Sequence, residues 1–319
     1  VLITGPSIKG SKGGQVTHIE NIKDTFKNNA RFKVKHFISS SALDSDESWL
    51  KKGVLVLLRS LKFPFCLFGT QVVHINSAFD NKAMGRDFLL ILWAVLLRKQ
   101  LIVQYHGGDF LNTYFSQSKF LKLLWASLLG CSKQVLVLTT AQFELIKSCN
   151  IAQVKKVANY VRCTDTIRTK PDIFTFIFLG RIIREKGIFE ILSACKRLES
   201  DYDFNVLFYG DGRDCEKLTS QIETLKLTTK VRWQGMVEGT DKENAITNAS
   251  VFLLPSYSEG LPYTVLEAMS YGLPVISTNV GSLTQLIKHG ETGLIVNVQD
   301  DISLAENMAL LMDNDDMLE

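Results

Sequence analysis

The 319-residue chain lacks several features that mark specialised classes of protein. It has only 6 prolines and no low-complexity tract, and 46% of its residues are hydrophobic, a composition typical of globular proteins. The longest uninterrupted apolar run, residues 88–97, is about half as long as a transmembrane helix needs to be. No basic segment precedes the apolar strand at Val1, so no signal peptide is predicted. The abrupt start without Met predicts that a few N-terminal residues are missing.

The cysteines are scattered, and no two of them form a Cys-x-x-Cys pair. This spacing argues against a disulfide framework and against a zinc site, and it favours a reducing compartment. We therefore expect a cytoplasmic protein. The cysteines are Cys66, Cys131, Cys149, Cys163, Cys195 and Cys215.

The net charge of +3 conceals two halves of opposite sign. Residues 1–165 hold 22 Lys and Arg against 10 Asp and Glu, a balance of +12. Residues 166–319 hold 14 against 23, a balance of −9. This asymmetry indicates two domains with different partners. The basic half could face an anionic membrane, an anionic acceptor or nucleic acid, and a solvated basic surface without a partner is the alternative.

Both halves alternate short β-branched runs with longer amphipathic stretches, the pattern of βαβ units and parallel sheets. The chain length suits two domains of about 150 residues each. In the first half, strands are predicted at Val1–Thr4, Lys33–Phe37, Val72–Ile75, Leu101–Tyr105 and Val135–Leu138, and helices near 16–29, 80–98, 116–129 and 140–149. In the second half, strands are predicted at Phe174–Leu179, Asn205–Tyr209, Val231–Trp233, Val251–Leu254, Val275–Ser277 and Leu294–Val296.

The predicted fold class is α/β, with two Rossmann-like doubly wound domains that face each other across a cleft. The polar, proline-containing segment 164–171 marks the join. We therefore predict an N-terminal domain over 1–165 and a C-terminal domain over 166–319. Ligands of such sheets bind beyond the carboxyl ends of the strands, and the motifs described next follow predicted strand ends.

A segment with two glutamates, 259–267, follows the predicted strand Val251–Leu254. Pro262 suits the first turn of a helix, so Glu259 would precede the helix and Glu267 would lie one to two turns inside it. Free N–H groups at that helix start can hold hydroxyl or phosphate oxygens. Two carboxylates beside them could hold the paired hydroxyls of a sugar or a ribose. The alternative is an N-cap carboxylate and a solvated helix residue.

A basic motif, Gly180-Arg181-Ile-Ile-Arg-Glu-Lys186-Gly187, follows the predicted strand Phe174–Leu179. Gly180 allows the backbone to approach a ligand closely. The fork of Arg181 and the point charge of Lys186 together suit a diphosphate. Cations near a helix N-terminus oppose the helix dipole, so we expect a bound anion to compensate them. A solvated pair is the alternative.

Two glycine-rich segments carry weaker signals. The segment 209–212 begins like a dinucleotide fingerprint, but Cys215 stands where the third glycine belongs, so a tight turn is the simpler interpretation. The segment 4–14 approaches the phosphate-binding P-loop, but Ser11 precedes Lys12 and reverses the required order. We expect a flexible glycine loop there, with N–H groups that could meet phosphate at the start of the first helix.

His106 follows the predicted strand Leu101–Tyr105 and precedes two glycines. This placement predicts an open, cleft-facing side chain with a functional role, although a lone histidine is more often structural. No catalytic metal is expected, because each Asp-x-Asp pair lies in polar surroundings away from glycine-rich strand ends. These pairs are Asp44/Asp46, Asp201/Asp203 and Asp313/Asp315.

Together these motifs resemble the retaining glycosyltransferases of family 4, also called the group 1 glycosyltransferases, which have the two-domain GT-B fold. The likeness is strongest over residues 174–297 and thinner in the first half. The matching segments are Gly180-Arg181…Lys186-Gly187, Gly210-Asp-Gly212, the Glu259/Glu267 pair and Gly290-Glu-Thr-Gly293, with Gly13-Gly14, His106 and Asn159-Tyr-Val161 before them.

The resemblance implies roles for the matched residues. Arg181 and Lys186 would neutralise the diphosphate leaving group, and Glu267 would hold the ribose. Glu259 would hold the donor sugar, and His106 would contact that sugar near its anomeric carbon. Glycines and loop residues would line the donor site: Gly13 and Gly14 on the phosphate or acceptor side, and Gly180, Gly210, Gly212, Gly260, Leu261 and Pro262 elsewhere.

The implied activity is transfer of a sugar, with retention, from a nucleotide-diphosphate sugar to a glycan or lipid-linked acceptor in polysaccharide or glycoconjugate biosynthesis. The resemblance implies a metal-independent hexosyltransferase, with the nucleotide sugar as substrate and no cofactor. The C-terminal domain would bind the donor and the N-terminal domain would lie on the acceptor side. Family members usually continue past the position of Glu319, so truncation of the C-terminal domain is expected.

Three stretches, 63–68, 88–99 and 120–125, mix aromatic and apolar residues with basic neighbours. They could lie in the interface of an anionic membrane, peripherally on its inner face, and meet a lipid-linked acceptor there. Core helices of the sheet are the alternative. Two other functions stay open: another nucleotide-sugar enzyme of this fold, such as an epimerase or a phosphorylase-like enzyme, and a basic nucleic-acid-binding module. No nucleic acid is expected as a partner, because the aromatics lie in apolar runs.

Overall fold

The computed structural model describes residues 1–8, 13–40, 49–78, 81–107, 119–163, 168, 171–314 and 317. The chain divides into two compact units, Val1–Asn159 and Tyr160–Glu319. This division lies close to the join expected between residues 165 and 166. Each unit holds one six-stranded sheet with flanking helices, and the α/β two-domain fold is therefore confirmed.

The first unit is built on a parallel sheet with the strand order β2-β1-β3-β4-β5-β6. The chain runs from β1 to one neighbour and then returns past β1 to the other side, so the topological switch point lies between β1 and β3. The strands are β1 (Leu2–Pro6), β2 (Lys35–Ser40), β3 (Val72–Ser77), β4 (Gln100–Tyr105), β5 (Gln134–Val137) and β6 (Val154–Lys156). The helices are α1 (Gly14–Phe26), α2 (Trp49–Cys66), α3 (Asn81–Leu96), α4 (Lys119–Gly130) and α5 (Thr140–Ser148).

The second unit repeats the design with the strand order β12-β11-β10-β7-β8-β9, and its switch point lies between β7 and β10. The strands are β7 (Phe174–Leu179), β8 (Phe204–Tyr209), β9 (Val231–Trp233), β10 (Val251–Leu254), β11 (Val275–Thr278) and β12 (Gly293–Val296). A 3₁₀ turn, Arg184–Lys186, precedes α6 (Ile188–Leu198). The remaining helices are α7 (Cys215–Thr224), α8 (Gly239–Thr247), α9 (Tyr263–Ser270), α10 (Leu283–Leu286) and α11 (Asp301–Asp313).

The central strands of the second unit, β7 and β10, are apolar except for Thr175, as expected for strands with helices on both faces of the sheet. Every residue of β10 is buried, and in β7 only Phe174 is partly exposed. The prediction of a buried parallel strand at residues 174–179 is therefore confirmed. Burial of these strands gives the loops at their carboxyl ends a rigid support.

The main difference from the predicted elements is α2, which the sequence analysis did not anticipate. Gly53 and Pro64 lie inside this helix, and both residue types disfavour the interior of a helix, so the sequence did not indicate one there. The short edge strand β6 was also not predicted, since its three residues include two exposed lysines. Among the described helices, none combines the length and the apolar composition required to cross a membrane.

Candidate functional site

Two loops meet at the switch point of the second unit. The parallel strands β7 and β10 pair directly, so the loops that follow them leave the same edge of the sheet. Gly187, in the first loop, has a φ of +75°, and a Cβ added there would lie 2.1 Å from the carbonyl oxygen of Pro255 in the second loop. Only glycine permits this approach. The close contact brings the basic motif against the loop that carries Glu259.

Lys186 and Glu259 form an ion pair across these two loops. Their side chains are only 16% and 8% exposed, so the pair is largely shielded from water. The hydroxyl of Ser256 donates a 2.7 Å hydrogen bond to Oε1 of Glu259. The hydroxyl of Thr278 in turn donates to the Ser256 carbonyl over 2.5 Å. Glu259 is therefore held by the ammonium group of Lys186 and the hydroxyl of Ser256. Thr278 of β11 in turn holds the backbone of Ser256.

This pairing changes the interpretation of the basic motif. Lys186 lies two residues before α6, where a cation opposes the helix dipole. Glu259 supplies the negative charge that the sequence analysis expected from a bound anion. Arg181 is exposed at the end of β7. The backbone N–H of Arg184 donates a 2.8 Å hydrogen bond to Oδ2 of Asp214, which anchors the loop between these two basic residues.

The glycines after β7 and β8 allow two loop backbones to touch. Gly210 has a φ of +135°, and a Cβ there would lie 1.8 Å from the carbonyl oxygen of Gly180. A Cβ at Gly212 would lie 2.3 Å from the carbonyl oxygen of Ile182. The N–H of Ile182 also donates to the carbonyl of Asp211 over 2.9 Å. The glycines of the Gly-Asp-Gly segment are therefore required by the packing of the two loop backbones.

Glu267 lies one turn inside α9, as predicted, and Glu259 precedes that helix. Pro262 is the N-cap, one position earlier than predicted, with extended backbone angles. Glu267 forms an ion pair with Lys242 of α8, with 2.7 Å between Oε1 and Nζ. Sequence reasoning missed Lys242, because no spacing rule connects two residues on separate helices.

The backbone beside Glu259 is held by a third loop, which follows β11. Gly281 has a φ of +61°, and a Cβ there would lie 2.1 Å from the carbonyl oxygen of Glu259. The N–H of Ser282 donates a 2.9 Å hydrogen bond to the carbonyl of Gly260. Gly260 and Leu261 are buried. Sequence reasoning missed Gly281, although a glycine directly beyond a strand end was an available signal.

In the first unit, His106 is buried and not open as predicted, with 6% of its surface exposed. Its backbone N–H donates to the carbonyl of Ser77 over 3.0 Å, which extends the pairing of β3 and β4 beyond their ends. Its Nε2 lies 2.8 Å from Oδ1 of Asn76. The amide Nδ2 of Asn76 donates to the carbonyl of Thr4 over 3.0 Å. The ring of His18 from α1 packs edge-on, with 4.5 Å between centroids.

These contacts define the protonation state of His106. Burial, followed by the charges of His18 and His74, holds the pKa of His106 well below its ordinary value. Burial likewise lowers the pKa values of His18 and His74 to about 4, so the cluster is neutral at neutral pH. Because the amide nitrogen of Asn76 donates to Thr4, the amide oxygen of Asn76 faces His106 and accepts a hydrogen bond from its Nε2–H group. Nδ1 of His106 is then an acceptor.

Gly13 and Gly14 lie at the start of α1, where Gly13 is the extended N-cap and both residues are exposed. A Cβ at Gly13 would meet no atom within 4 Å. The rest of the predicted glycine loop, residues 9–12, lies outside the described residues. Asp109, Asp44, Asp46 and Asp315 also lie outside them.

The second half of the chain is similar to a known family. The family model of the group 1 glycosyl transferases matches residues 165–319. The two joined loops at the switch point of the second unit, with Lys186 and Glu259, lie within the matched residues.

Two curated glycosyltransferases are similar to this chain. Over 167 residues the chain is 30% identical to the 2-deoxystreptamine N-acetyl-D-glucosaminyltransferase of Niallia circulans, a match that covers 51% of this chain and only 43% of that protein. Over 318 residues it is 25% identical to the lipopolysaccharide 1,6-galactosyltransferase of Salmonella typhimurium, covering 92% of this chain and 84% of that enzyme.

Solved structures show the same fold over the full chain. The apo form of the lipopolysaccharide outer core galactosyltransferase WaaB has a TM-score of 0.67 at 21% identity, covering 99% of this chain and 93% of that one. The complex of Anabaena Alr3699/HepE with UDP-glucose has a TM-score of 0.77 at 16% identity, covering 99% and 91%.

Proposed function

We propose that the protein transfers a hexose, with retention of configuration, from a nucleotide-diphosphate sugar to a glycan or lipid-linked acceptor. The ion pair of Lys186 and Glu259 at the switch point of a transferase domain carries this proposal. A cation and a carboxylate joined there present both signs of charge that a sugar diphosphate needs: one for its phosphates and one for its hydroxyls.

In this proposal Lys186 binds the diphosphate of the donor and also holds Glu259, which binds the sugar. Its ammonium has three donor hydrogens, so it can keep its contact with Glu259 and also bind a phosphate oxygen. Arg181, exposed at the end of β7, adds a second positive group for the diphosphate. Charge stabilisation of the leaving group and positioning of the sugar then provide the catalysis. We propose that these cations replace a metal ion, so that transfer is metal-independent.

Glu267 would hold the ribose in this scheme. Its pairing with Lys242 fixes one carboxylate oxygen, and the other can accept hydrogen bonds from hydroxyls. The N-terminus of α9 adds backbone N–H groups between the two glutamates, a suitable environment for phosphate. The solved HepE complex contains UDP-glucose, which supports a nucleotide sugar as the donor class. The family resemblance supports retention and the roles of His106, Gly13 and Gly14.

Donor binding tests this proposal. A thermal-shift screen of the full chain with UDP-, GDP- and ADP-sugars should find at least one donor that raises the melting temperature. Lys186→Met should weaken binding of the matching nucleoside diphosphate by about 10- to 100-fold, since one charge-assisted contact contributes roughly 1.5–3 kcal/mol. Binding of the uncharged nucleoside should change little.

The matched control is Lys196→Met. Lys196 is a half-exposed lysine of α6 that pairs with Glu199 on the helix surface, and its removal should leave donor affinity unchanged. Failure of every nucleotide sugar to stabilise the chain at millimolar concentration would contradict the proposed activity. Equal affinity of Lys186→Met and the wild type for the diphosphate would remove Lys186 from the site.

A further inference from the structure

Four helices of the first unit connect strands in one direction across the sheet. The chain passes through α2, α3, α4 and α5 as it moves from β2 to β3, β4, β5 and β6. Right-handed crossovers place these helices on one face, whereas α1 connects strands in the opposite direction and lies on the other face. α3 packs between its two neighbours. We call α2, α3 and α4 the helical layer.

The outer side of α2 is apolar and exposed. At 100° per residue its exposed apolar positions fall within an arc of about 100°. The opposite side of α2 packs on the sheet, where the rings of Phe63 and Phe37 lie 4.9 Å apart. Exposures of the outer residues run from 49% to 75% for Val54, Leu57, Leu58, Leu61, Phe65 and the following Phe68. We call these six residues the α2 stripe.

Basic residues border the α2 stripe. Residues 49–66 of α2 include four Lys or Arg and no Asp or Glu. Lys51 and Lys62 are exposed, and on the helix they lie about 70–90° from the centre of the stripe, both on the same side of it. A contiguous apolar surface with a polar rim marks an interaction site. Because the residues that border the stripe are positively charged, its partner must offer negative charge at its surface and an apolar interior.

The other two helices of the layer extend the same surface. Leu96 at the end of α3 and Phe120 and Leu123 near the start of α4 are 60%, 70% and 68% exposed. Each of these positions has basic neighbours in the sequence: Arg98, Lys99, Lys119 and Lys122. α4 carries no acidic residue. The combination of exposed apolar and basic side chains is therefore a property of the layer and not of one helix.

We propose that the helical layer docks on an anionic membrane surface, with the α2 stripe inserted between the lipid headgroups. Amphipathic helices with Leu and Phe on one side and Lys and Arg beside them bind such surfaces in this way. A second copy of this chain fits less well, because two basic rims would face each other and repel. Docking does not depend on the donor site, but it would bring the enzyme to a lipid-linked acceptor.

The structure also separates the core residues of the three predicted membrane stretches from the exposed ones. Phe63, Leu90, Ile91 and Trp125 are buried and form part of the core beneath the layer. For these four residues the core alternative is correct. The exposed apolar residues of these stretches include Phe65, Phe68, Leu96, Phe120 and Leu123, and the rest of the α2 stripe lies outside the three stretches. A membrane contact therefore uses the outer face of the layer while its inner face holds the sheet.

Vesicle flotation of the full chain tests this proposal. Wild-type protein should bind vesicles of phosphatidylcholine with about one third phosphatidylglycerol at low salt, and should bind pure phosphatidylcholine weakly. The triple variant Leu57→Gln, Leu61→Gln, Phe65→Gln should bind anionic vesicles at least about tenfold more weakly, because three exposed apolar side chains no longer enter the bilayer. Raising the salt concentration should also weaken wild-type binding.

Matched controls separate membrane docking from general effects. Ile302→Gln replaces an apolar residue that is equally exposed (53%) but lies in the second unit, and it should bind vesicles like the wild type. Lys62→Glu should weaken binding, whereas Lys27→Glu, next to α1 on the other face of the sheet, should weaken it less. The melting temperature and donor binding of each variant show whether fold and donor site are intact.

Several outcomes would overturn the proposal. The proposal is wrong if the wild-type protein does not bind anionic vesicles at low salt. It is also wrong if the triple variant binds these vesicles as tightly as the wild type. If wild-type protein self-associates and the triple variant does not, while neither binds vesicles, a second copy covers the stripe and the membrane proposal is wrong. Donor binding is measured separately, so failure here leaves the proposed transfer reaction untouched.

Discussion

Gly187 offers the strictest test of the way the two loops of the proposed donor site are joined. The substitution Gly187→Ala adds one methyl group where φ is +75°. A left-handed conformation costs an alanine about 1–2 kcal/mol. The new Cβ would also lie 2.1 Å from the carbonyl oxygen of Pro255, well inside the ordinary contact distance, so the two loops must separate. Overpacking of this kind costs about 1–3 kcal/mol.

The matched control is Gly272→Ala. Gly272 follows α9, has a φ of +69°, and has no atom within 4 Å of an added Cβ. It should therefore lose only the conformational part, about 1–2 kcal/mol, while Gly187→Ala loses about 2–5 kcal/mol in all. For a unit of this size each kcal/mol lowers the melting temperature by about 2–4 °C. Differential scanning calorimetry of the full chain would resolve the difference.

Donor binding is the second measurement on the same pair of variants. Separation of the loops moves Lys186 from Glu259, so Gly187→Ala should also lose affinity for the nucleoside diphosphate, and Gly272→Ala should retain it. Equal destabilisation by the two substitutions would show that Gly187 is not packed against Pro255 in solution. The physical explanation of the joined loops would then be refuted.

Three further predictions concern single side chains. Glu267→Gln should weaken binding of a ribonucleotide about tenfold, because a carboxylate–hydroxyl hydrogen bond contributes roughly 1.5–3 kcal/mol. Binding of the 2′,3′-dideoxy analogue, also measured by calorimetry, should change little. Equal losses of affinity for the two ligands would exclude a contact between Glu267 and the ribose. Asn76→Asp should raise the pKa of His106 towards its ordinary value, since a carboxylate stabilises the imidazolium. ¹⁵N NMR of the imidazole ring would detect this change. If the ring ¹⁵N shifts of the variant do not change during the titration, the contact between His106 and residue 76 is wrong. The free energy of unfolding should fall as the pH drops from about 6.5 to about 4, by up to about 1.4 kcal/mol per pH unit for each buried histidine, because the unfolded chain binds protons that the folded chain excludes. His74→Gln should flatten this dependence on pH, and an unchanged slope in that variant would contradict the burial of His74.

Local chemistry made much of the second unit predictable. Its strands are short runs rich in Val, Ile, Leu and Phe, so their positions were predicted to within a residue or two. The order of Glu259, the helix start and Glu267 also followed from sequence, since a proline after a strand indicates where a helix can begin. These features depend on neighbours in the chain, which a sequence shows directly.

Contacts between distant segments were not predictable in the same way. The sheet order brings β7 beside β10, and only this pairing joins Lys186 to Glu259 and gives the lysine a counter-charge within the chain. For His106 the prediction of an open side chain was wrong. A strand end beside glycines indicates exposure, but the side chain is buried against Asn76 and His18.

The sequence by itself determined the fold class, the strands, and the residue types available for binding a sugar diphosphate, because hydrophobic periodicity and strand-end chemistry are local properties. The tertiary structure alone decided which side chains meet and which faces stay exposed. The α2 stripe depends on this second kind of information. Both sides of α2 are apolar, and only the position of the sheet shows that one side packs on the core and the other faces outward.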